Sequence, residues 1–309
     1  VIENPDPTLD DHLRAIGIEP FRPATTPNEA ELVRLLENEP FELIYKRSRV
    51  EITPRVLDAA PNLFAVMLCC IGDDSVDKDA CAARGVIVTN DPISNGRSVV
   101  ELFVGEVVCL SRRVFEAAGE TNHHVFDKSQ SHRFEILGKT LGVFGLGNIG
   151  KQVAQVAESL GMRIAFHDNR EVAREVGETM GWTYVPNVEA LFACSDIVTC
   201  HVSAYDHEGR SNERVLRYDH FAAMGARGDD SPRIFLNLAR GNIYAAEDLV
   251  RAVEDGHIAR AMVDVYPEEP RDKASPWVNP YAAHPQIYGT PHIGAATLEA
   301  QPRIAAYVA

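Results

Sequence analysis

Over the first 90 residues, short apolar runs at 41–45, 64–69 and 86–89 alternate with stretches at 29–36, 54–59 and 76–84 whose apolar positions recur at helical spacing. Strand and helix in strict alternation predict a parallel sheet with helices on both faces. Residues 98–114 read as a long helix, started by Ser98 and Glu101 at capping-box spacing. Leu102, Phe103, Val107, Leu110 and Val114 make it apolar on much of its circumference, so it must be buried somewhere. After a polar stretch at 123–133 the alternation resumes, with strands expected at 141–144, 163–167, 197–202, 234–238, 261–265 and 287–288. A helix over 246–255 stops at Gly256, as a helix C-terminus should. The segment 225–232 reads as a solvated surface turn.

The stretch around which the rest is organised is Lys-Thr-Leu-Gly-Val-Phe-Gly-Leu-Gly-Asn-Ile-Gly-Lys, residues 139–151. Leu141, Val143 and Phe144 end a strand, Gly145, Gly147 and Gly150 form a G-x-G-x-x-G turn, and Ile149, Val153, Val156, Ala157 and Leu160 continue at helical spacing. Glycines are needed there if a dinucleotide pyrophosphate is to approach the backbone, take amide hydrogen bonds and rest on a helix N-terminus. A glycine turn alone also closes ordinary strand–helix connections. Here a second strand follows and ends at Asp168, 23 residues after Gly145, where a carboxylate can accept both hydroxyls of the adenosine ribose. Asp168 favours NAD; the nearby Arg170 leaves some room for a 2'-phosphate.

Composition narrows the class. At 309 residues the chain exceeds one ordinary core, so two domains are expected. A net charge of -15 repels phosphate backbones and anionic membranes, which argues against nucleic-acid and membrane partners. No apolar run reaches the length of a membrane span and no signal segment is present, so a cytoplasmic location is expected. The six cysteines lack C-x-x-C spacing and read as buried reduced thiols. The eleven histidines suggest no metal, since His123 and His124 are adjacent and without neighbouring ligands at suitable spacing. No G-x-S-x-G elbow points to nucleophilic hydrolysis.

Three ionisable residues fall just beyond expected strands: Arg240 in Asn-Leu-Ala-Arg-Gly, Glu269 in Asp-Val-Tyr-Pro-Glu-Glu-Pro, and His292 in Thr-Pro-His-Ile-Gly. Glu268 competes with Glu269, which is favoured as the residue directly before Pro270. With Val-Thr-Asn-Asp-Pro, Ser-Val-Val-Glu-Leu and the glycine turn, these ordered motifs resemble the D-isomer-specific 2-hydroxyacid dehydrogenase family from Ile44 to the chain end. Lys-Arg-Ser-Arg (46–49), Cys-Ile-Gly (70–72), Ser-Asn-Gly-Arg-Ser-Val (94–99) and Phe-Asp-Lys (126–128) are most similar to its phosphoglycerate branch.

That resemblance implies two doubly wound parallel-sheet domains of α/β class, a Rossmann cofactor domain at 95–285 inserted into a flavodoxin-like substrate domain of residues 1–94 and 286–309. It implies oxidation of a small 2-hydroxy acid, here 3-phosphoglycerate, by NAD. His292 would be general base, Glu269 its orienting partner and Arg240 the grip on the substrate carboxylate. Gly145, Gly147, Asn148, Ile149, Gly150, Asp168, Val202, Ser203, Ala239, Asp264 and Gly294 would hold the cofactor, with Asp264 at the nicotinamide carboxamide. Ile71, Gly72 and Asn95 would bind the substrate, and Arg47, Arg49 and Lys128 its phosphate. Where the family usually has His-Val-Pro, this chain has His201-Val202-Ser203. A homodimer or higher homo-oligomer is expected. A glyoxylate or hydroxypyruvate reductase and a dinucleotide-sensing binding protein are the alternative functions.

Overall fold

Both chain ends build one unit, residues 1–96 with 295–309, and residues 97–294 build the other. The computed structural model describes residues 1–225, 231–270 and 275–309, so most of the turn expected at 225–232 lies outside the described residues.

The smaller unit runs α1 (Thr8–Ala15), α2 (Glu29–Asn38), β1 (Leu43–Lys46), α3 (Pro54–Asp58), β2 (Ala65–Leu68), α4 (Lys78–Ala83) and β3 (Ile87–Asn90). Local chemistry starts each of the middle helices. The Asn28 side chain accepts from the Glu31 amide at 3.0 Å while the Glu31 carboxylate accepts from the Asn28 amide at 2.9 Å, a complete capping box for α2. Thr53 caps α3 with Pro54 at its first position, and Asp77 caps α4. The three strands pair in parallel in the order β1-β2-β3. Alternate strand residues face opposite sides: Ile44, Val66 and Leu68 join Leu32, Leu36 and Val56 in one core. Tyr45, Met67 and Cys69 join Leu9, Leu13 and the returning helix Ala300–Val308 in another, completing a doubly wound, flavodoxin-like layering. The chain enters alongside β1, where the Ile2 amide donates to the Tyr45 carbonyl at 2.8 Å.

The larger unit contains α5 (Gly96–Arg112), which begins at the preceding unit's last residue, α6 (Val114–Asn122), β4 (Thr140–Phe144), α7 (Asn148–Ser159), β5 (Arg163–His167), α8 (Glu171–Thr179) and β6 (Thr183–Tyr184). It continues with α9 (Val188–Cys194), β7 (Ile197–Cys200), α10 (Tyr218–Gly225), β8 (Ile234–Asn237), α11 (Ala246–Glu254), β9 (Arg260–Val263) and β10 (Ile287–Gly289). All seven strands are parallel in the order β10-β9-β8-β7-β4-β5-β6. The chain starts at the middle with β4, winds outward through β5 and β6, then crosses back to β7. That Rossmann topology puts a crevice beyond the carboxyl ends of β4 and β7. One face packs Phe192, Phe221, Phe235, Tyr244 and Leu249, the other Phe103, Val107, Leu110, Val153 and Phe166.

Three details differ from the sequence expectation. The long helix starts at Gly96, so Ser98 lies inside its first turn rather than ahead of it, and Glu101 pairs with Arg97 at 2.6 Å. The same helix ends at Arg112, because Arg113 takes a left-handed conformation (φ 57°) and α6 sets off with no buried residue. The division between units also falls later than 286: β10 pairs with β9, and the loop after it is tied to Asp264, which keeps residues up to Gly294 in the larger unit.

Candidate active site

The glycine turn is forced by the close approach of three backbone segments. Gly145 follows β4 with φ +94°, and a Cβ there would lie 2.9 Å from the His201 carbonyl and 2.8 Å from Val202 after β7. A Cβ on Gly150 would sit 2.0 Å from the Gly145 carbonyl oxygen, so only glycine lets α7 start this close to the turn. Gly147 is different. It caps α7 without a side-chain cap, and the nearest atom to a Cβ there is Arg170 Nη2 at 3.8 Å. Its neighbours Asn148 and Ile149 are the first two residues of the helix, whose leading amides have no intrahelical partners. Outer glycines that pack the turn and a middle one that opens on space fit a pyrophosphate.

Asp168, just past β5, is 8 % exposed. Its Oδ2 accepts from the Leu146 amide and Arg170 Nη2, both at 2.8 Å, and its Oδ1 from the Arg170 amide and Nε, both at 2.9 Å. Burial pushes its pKa up, but those hydrogen bonds and the Arg170 charge outweigh it and hold the carboxyl below its ordinary value. Of the other expected cofactor contacts, Val202 packs against Gly145, and the Ser203 hydroxyl donates to the Tyr205 carbonyl.

The three ionisable residues come together within the larger unit, on the loops after β8, β9 and β10. His292 Nδ1 and Glu269 Oε2 are 2.7 Å apart, and Glu269 Oε1 accepts from the Tyr266 amide at 3.2 Å. The hydrogen bond to Glu269 is the main cause that lifts His292 above the 6.5 of an ordinary histidine, against burial and the Arg240 charge. For Glu269, burial pushes upward, but the His292 hydrogen bond and the nearby charges of His292 and Arg240 hold it below the usual range. Gly241 makes this convergence possible: a Cβ there would lie 1.9 Å from the Tyr266 carbonyl carbon, so the loop carrying Arg240 can lie against the loop carrying Glu269 only without a side chain.

Asp264 and Asn237 organise these loops. Asp264 is 2 % exposed. It accepts from the Thr290 hydroxyl at 2.7 Å and from the Ile293 and Gly294 amides at 2.8 Å, on either side of His292. His292 itself has φ 54°, a strained conformation for a side-chain-bearing residue, and the Asp264 clamp sustains it. Asn237, fully buried at the end of β8, accepts from the Ala239 amide at 3.0 Å and donates to the Arg240 carbonyl at 2.9 Å. The sequence reading gave Asn237 and Thr290 no role. The available signal was a polar residue closing an otherwise apolar strand.

In the smaller unit, Arg47 and Arg49, Ile71 and Gly72, and Asn95 follow β1, β2 and β3, on one edge of its parallel sheet. The edge is tied together by the Cys69 amide on the Lys46 carbonyl at 2.7 Å and the Asn90 side chain on the Ile71 carbonyl at 2.6 Å. Lys46, the first residue of the Lys-Arg-Ser-Arg stretch, is fully buried: its ammonium donates to the Arg47 carbonyl and Ser75 hydroxyl and lies 3.9 Å from Glu3. Glu3 accepts from the Arg49 amide at 3.0 Å. Lys128 belongs to the larger unit. It stands in an exposed segment with its ammonium 5.3 Å from the Phe126 ring centre.

Residues 104–294 match the D-isomer specific 2-hydroxyacid dehydrogenase, NAD binding domain. The chain belongs to that family. Among curated relatives it is similar to D-3-phosphoglycerate dehydrogenase of Haemophilus influenzae, 37% identical over 263 residues, covering 85% of this chain and 61% of the relative. It is likewise similar to D-3-phosphoglycerate dehydrogenase 1 of Saccharomyces cerevisiae, 34% identical over 294 residues, 91% of this chain and 58% of the relative. This chain thus spans about three-fifths of the length of these relatives. Among solved structures, a protein from Thermus thermophilus superposes with a TM-score of 0.80 at 27% identity over 99% of this chain and 93% of that one. The dehydrogenase match spans the glycine turn, Asp168, Arg240, Glu269 and His292, and it makes NAD the cofactor of the larger unit.

Proposed function

We propose that this dehydrogenase oxidises 3-phosphoglycerate to 3-phosphohydroxypyruvate with NAD, the first step of serine biosynthesis. The observation that carries the reading is the 2.7 Å contact between His292 and Glu269 with the Arg240 charge beside it. Glu269 occupies Nδ1 and fixes the tautomer, which leaves Nε2 as the nitrogen that takes the substrate hydroxyl proton. Arg240 binds the substrate carboxylate and polarises the reacting oxygen as its bond to carbon becomes a carbonyl. Bound NAD supplies the acceptor for the hydride leaving that carbon. Ala239, Asp264 and Gly294 belong to the cofactor contacts in this reading. Asp264 in addition holds the loop that carries His292.

The choice of 3-phosphoglycerate is supported by the names of the curated relatives and by the cations Arg47, Arg49 and Lys128 in a chain of net charge -15. Residues 1–96 with 295–309 act as the substrate domain in this reading, through Ile71, Gly72, Asn95 and the two arginines. A cytoplasmic homodimer completes it. No helix among the described residues is long and apolar enough to cross a membrane. The exposed Val114, Phe115, Val125 and Phe126 along and beyond α6 support self-association. Light scattering should give twice the monomer mass; a monomer at micromolar concentration removes that part.

The test of the activity is direct. Purified protein should form NADH with 3-phosphoglycerate and consume it with 3-phosphohydroxypyruvate. The position of Lys128 in an exposed segment favours keeping a second substrate, glyoxylate or hydroxypyruvate, in the panel. Turnover of those with none of the phosphorylated acid would move the chain to the reductase branch. NAD binding without turnover of any would make it a sensor.

A further inference from the structure

Lys46 ends β1 with a charge on the sheet face where Ile44, two residues earlier, joins Val66 and Leu68 in an apolar core. Its ammonium is fully buried, as is the Glu3 carboxylate 3.9 Å away. Burial lowers the pKa of the ammonium, and Glu3 is the largest influence that opposes this. Apolar side chains of similar volume often stabilise a fold as well as such a pair or better. Glu3 also sits on disfavoured backbone: Glu3 and Asn4 have φ 65° and 49°, in the left-handed region. Stability explains neither feature.

What the pair holds is the backbone of the loop after β1. The Lys46 ammonium donates to the Arg47 carbonyl at 2.7 Å and to the Ser75 hydroxyl at 2.6 Å. The Glu3 carboxylate accepts from the Arg49 amide, at 3.1 Å to Oε1 and 3.0 Å to Oε2, and from the Val50 amide. Main-chain groups of Arg47, Arg49 and Val50 thus end on two charged side chains that also attract each other. Ser75 extends the hold, since its carbonyl accepts from the Ile52 amide at 2.8 Å and Ile52 bridges Val76. All of these residues lie in the smaller unit. Of the arginines on the loop, Arg47 is partly buried and Arg49 exposed.

We propose that the buried Lys46–Glu3 pair is the positioning device of the substrate-phosphate subsite: it sets the backbone of residues 47–50, and with it the origin from which the Arg47 and Arg49 guanidiniums reach an anion. Neither Lys46 nor Glu3 touches the substrate; both act through the two arginines. A loop that carries two long side chains loses entropy when it grips a phosphate, and a backbone held in advance reduces that loss. Charge-assisted bonds hold it more firmly than bonds between neutral groups would. This inference rests on the reading of Arg47 and Arg49 as ligands of the substrate phosphate.

The full chain carrying Glu3→Ala and Lys46→Met, which removes both charges and leaves neither stranded, is compared with wild type in two measurements. Hydrogen exchange read by mass spectrometry should show the Arg49 and Val50 amides exchanging about tenfold faster or more, with β2 and β3 unchanged. KM for 3-phosphoglycerate should rise about tenfold with kcat held within about twofold, the pattern of lost binding rather than lost chemistry. In an Arg47→Ala, Arg49→Ala background the same two changes should leave KM where it is, since the groups they position are gone. Glu3→Asp keeps both charges and withdraws the carboxylate by one methylene; it serves where the paired variant does not fold, and should give the same pattern at about threefold. Unchanged exchange at Arg49 and Val50 overturns the proposal, as does a fall in kcat as large as the rise in KM, or a further loss in the background without the arginines. If wild type does not oxidise 3-phosphoglycerate, or the arginine changes alone leave its KM unmoved, the phosphate reading falls and this inference with it. If the arginine changes raise KM while the Glu3 and Lys46 changes do not, only the inference falls.

Discussion

His292 and Glu269 make one titrating unit whose direction is set by the geometry. The proposed oxidation needs His292 neutral to take the hydroxyl proton, and its pKa is raised above 6.5, chiefly by the hydrogen bond to Glu269. The oxidation rate should therefore fall as pH drops through a value above 6.5, while the reverse reduction, which needs the imidazolium, should fall as pH rises through it. Replacing Glu269 by Gln removes the negative partner. The acid limb of kcat/KM for oxidation should move down toward 6.5, with kcat reduced about 10²-fold; an unmoved limb would show that another group titrates.

A second titrating residue acts on stability. Glu106, on the buried face of α5, is 3 % exposed, and neither carboxyl oxygen has a hydrogen-bond partner among the described residues. Burial, with Asp264 nearby, pushes its pKa up to about 8 from 4.5. A carboxyl that folds neutral but unfolds charged contributes stability that is complete below 4.5 and is lost as pH rises through about 8. Glu106→Gln stays neutral throughout. Urea denaturation should show the variant gaining on the parent between pH 5 and pH 9, by on the order of a few kcal/mol at the upper end. Parallel pH curves for the two would contradict the buried neutral carboxyl.

At the scale of elements, the loop after β8 depends on contacts that no helix or strand pattern reveals. Gly241→Ala would place a methyl about 2 Å from the Tyr266 backbone, and backbone cannot swing aside as a side chain can. The variant should lose about 1–3 kcal/mol of stability, and its kcat should drop further than the unfolded fraction accounts for, because the loops carrying Arg240 and Glu269 must separate. Full activity in a folded Gly241→Ala protein would show that their spacing is unimportant. Elements with a clear periodic signal were legible beforehand: α2, α3, β2, β5, α7 and α11 lie within a residue or two of their sequence expectations. Those missed were short or carried little apolar periodicity. The first helix buries only Leu9 and Leu13, and β6 has two residues. The break at Arg113 was invisible because a left-handed arginine carries no sequence signature comparable to Gly or Pro.

For the whole molecule, net charge -15 makes anionic substrates unwelcome except where cations are gathered. If Arg47 and Arg49 serve the substrate phosphate, Arg47→Ala with Arg49→Ala should raise KM for 3-phosphoglycerate by about 10²-fold. The kinetics for an unphosphorylated 2-hydroxy acid should change little. Equal losses on both substrates would mean that the loop after β1, tied to Glu3 and Lys46, had been disturbed instead.

The sequence by itself determined the α/β alternation and the glycine turn, and it singled out Arg240, Glu269 and His292, which the fold brings together, because strand and helix periods, glycine spacing and isolated ionisable residues are local properties of a chain. It could not say that β10 stays with the larger sheet, since strand partners are chosen by packing over long separations. Nor could it say that Asp264 and Asn237 hold the loops carrying His292 and Arg240, or that Arg170 pairs with Asp168. Those depend on which buried polar atoms meet across the fold. An apolar core tolerates few unpaired ones, so the folded chain settles their pairing.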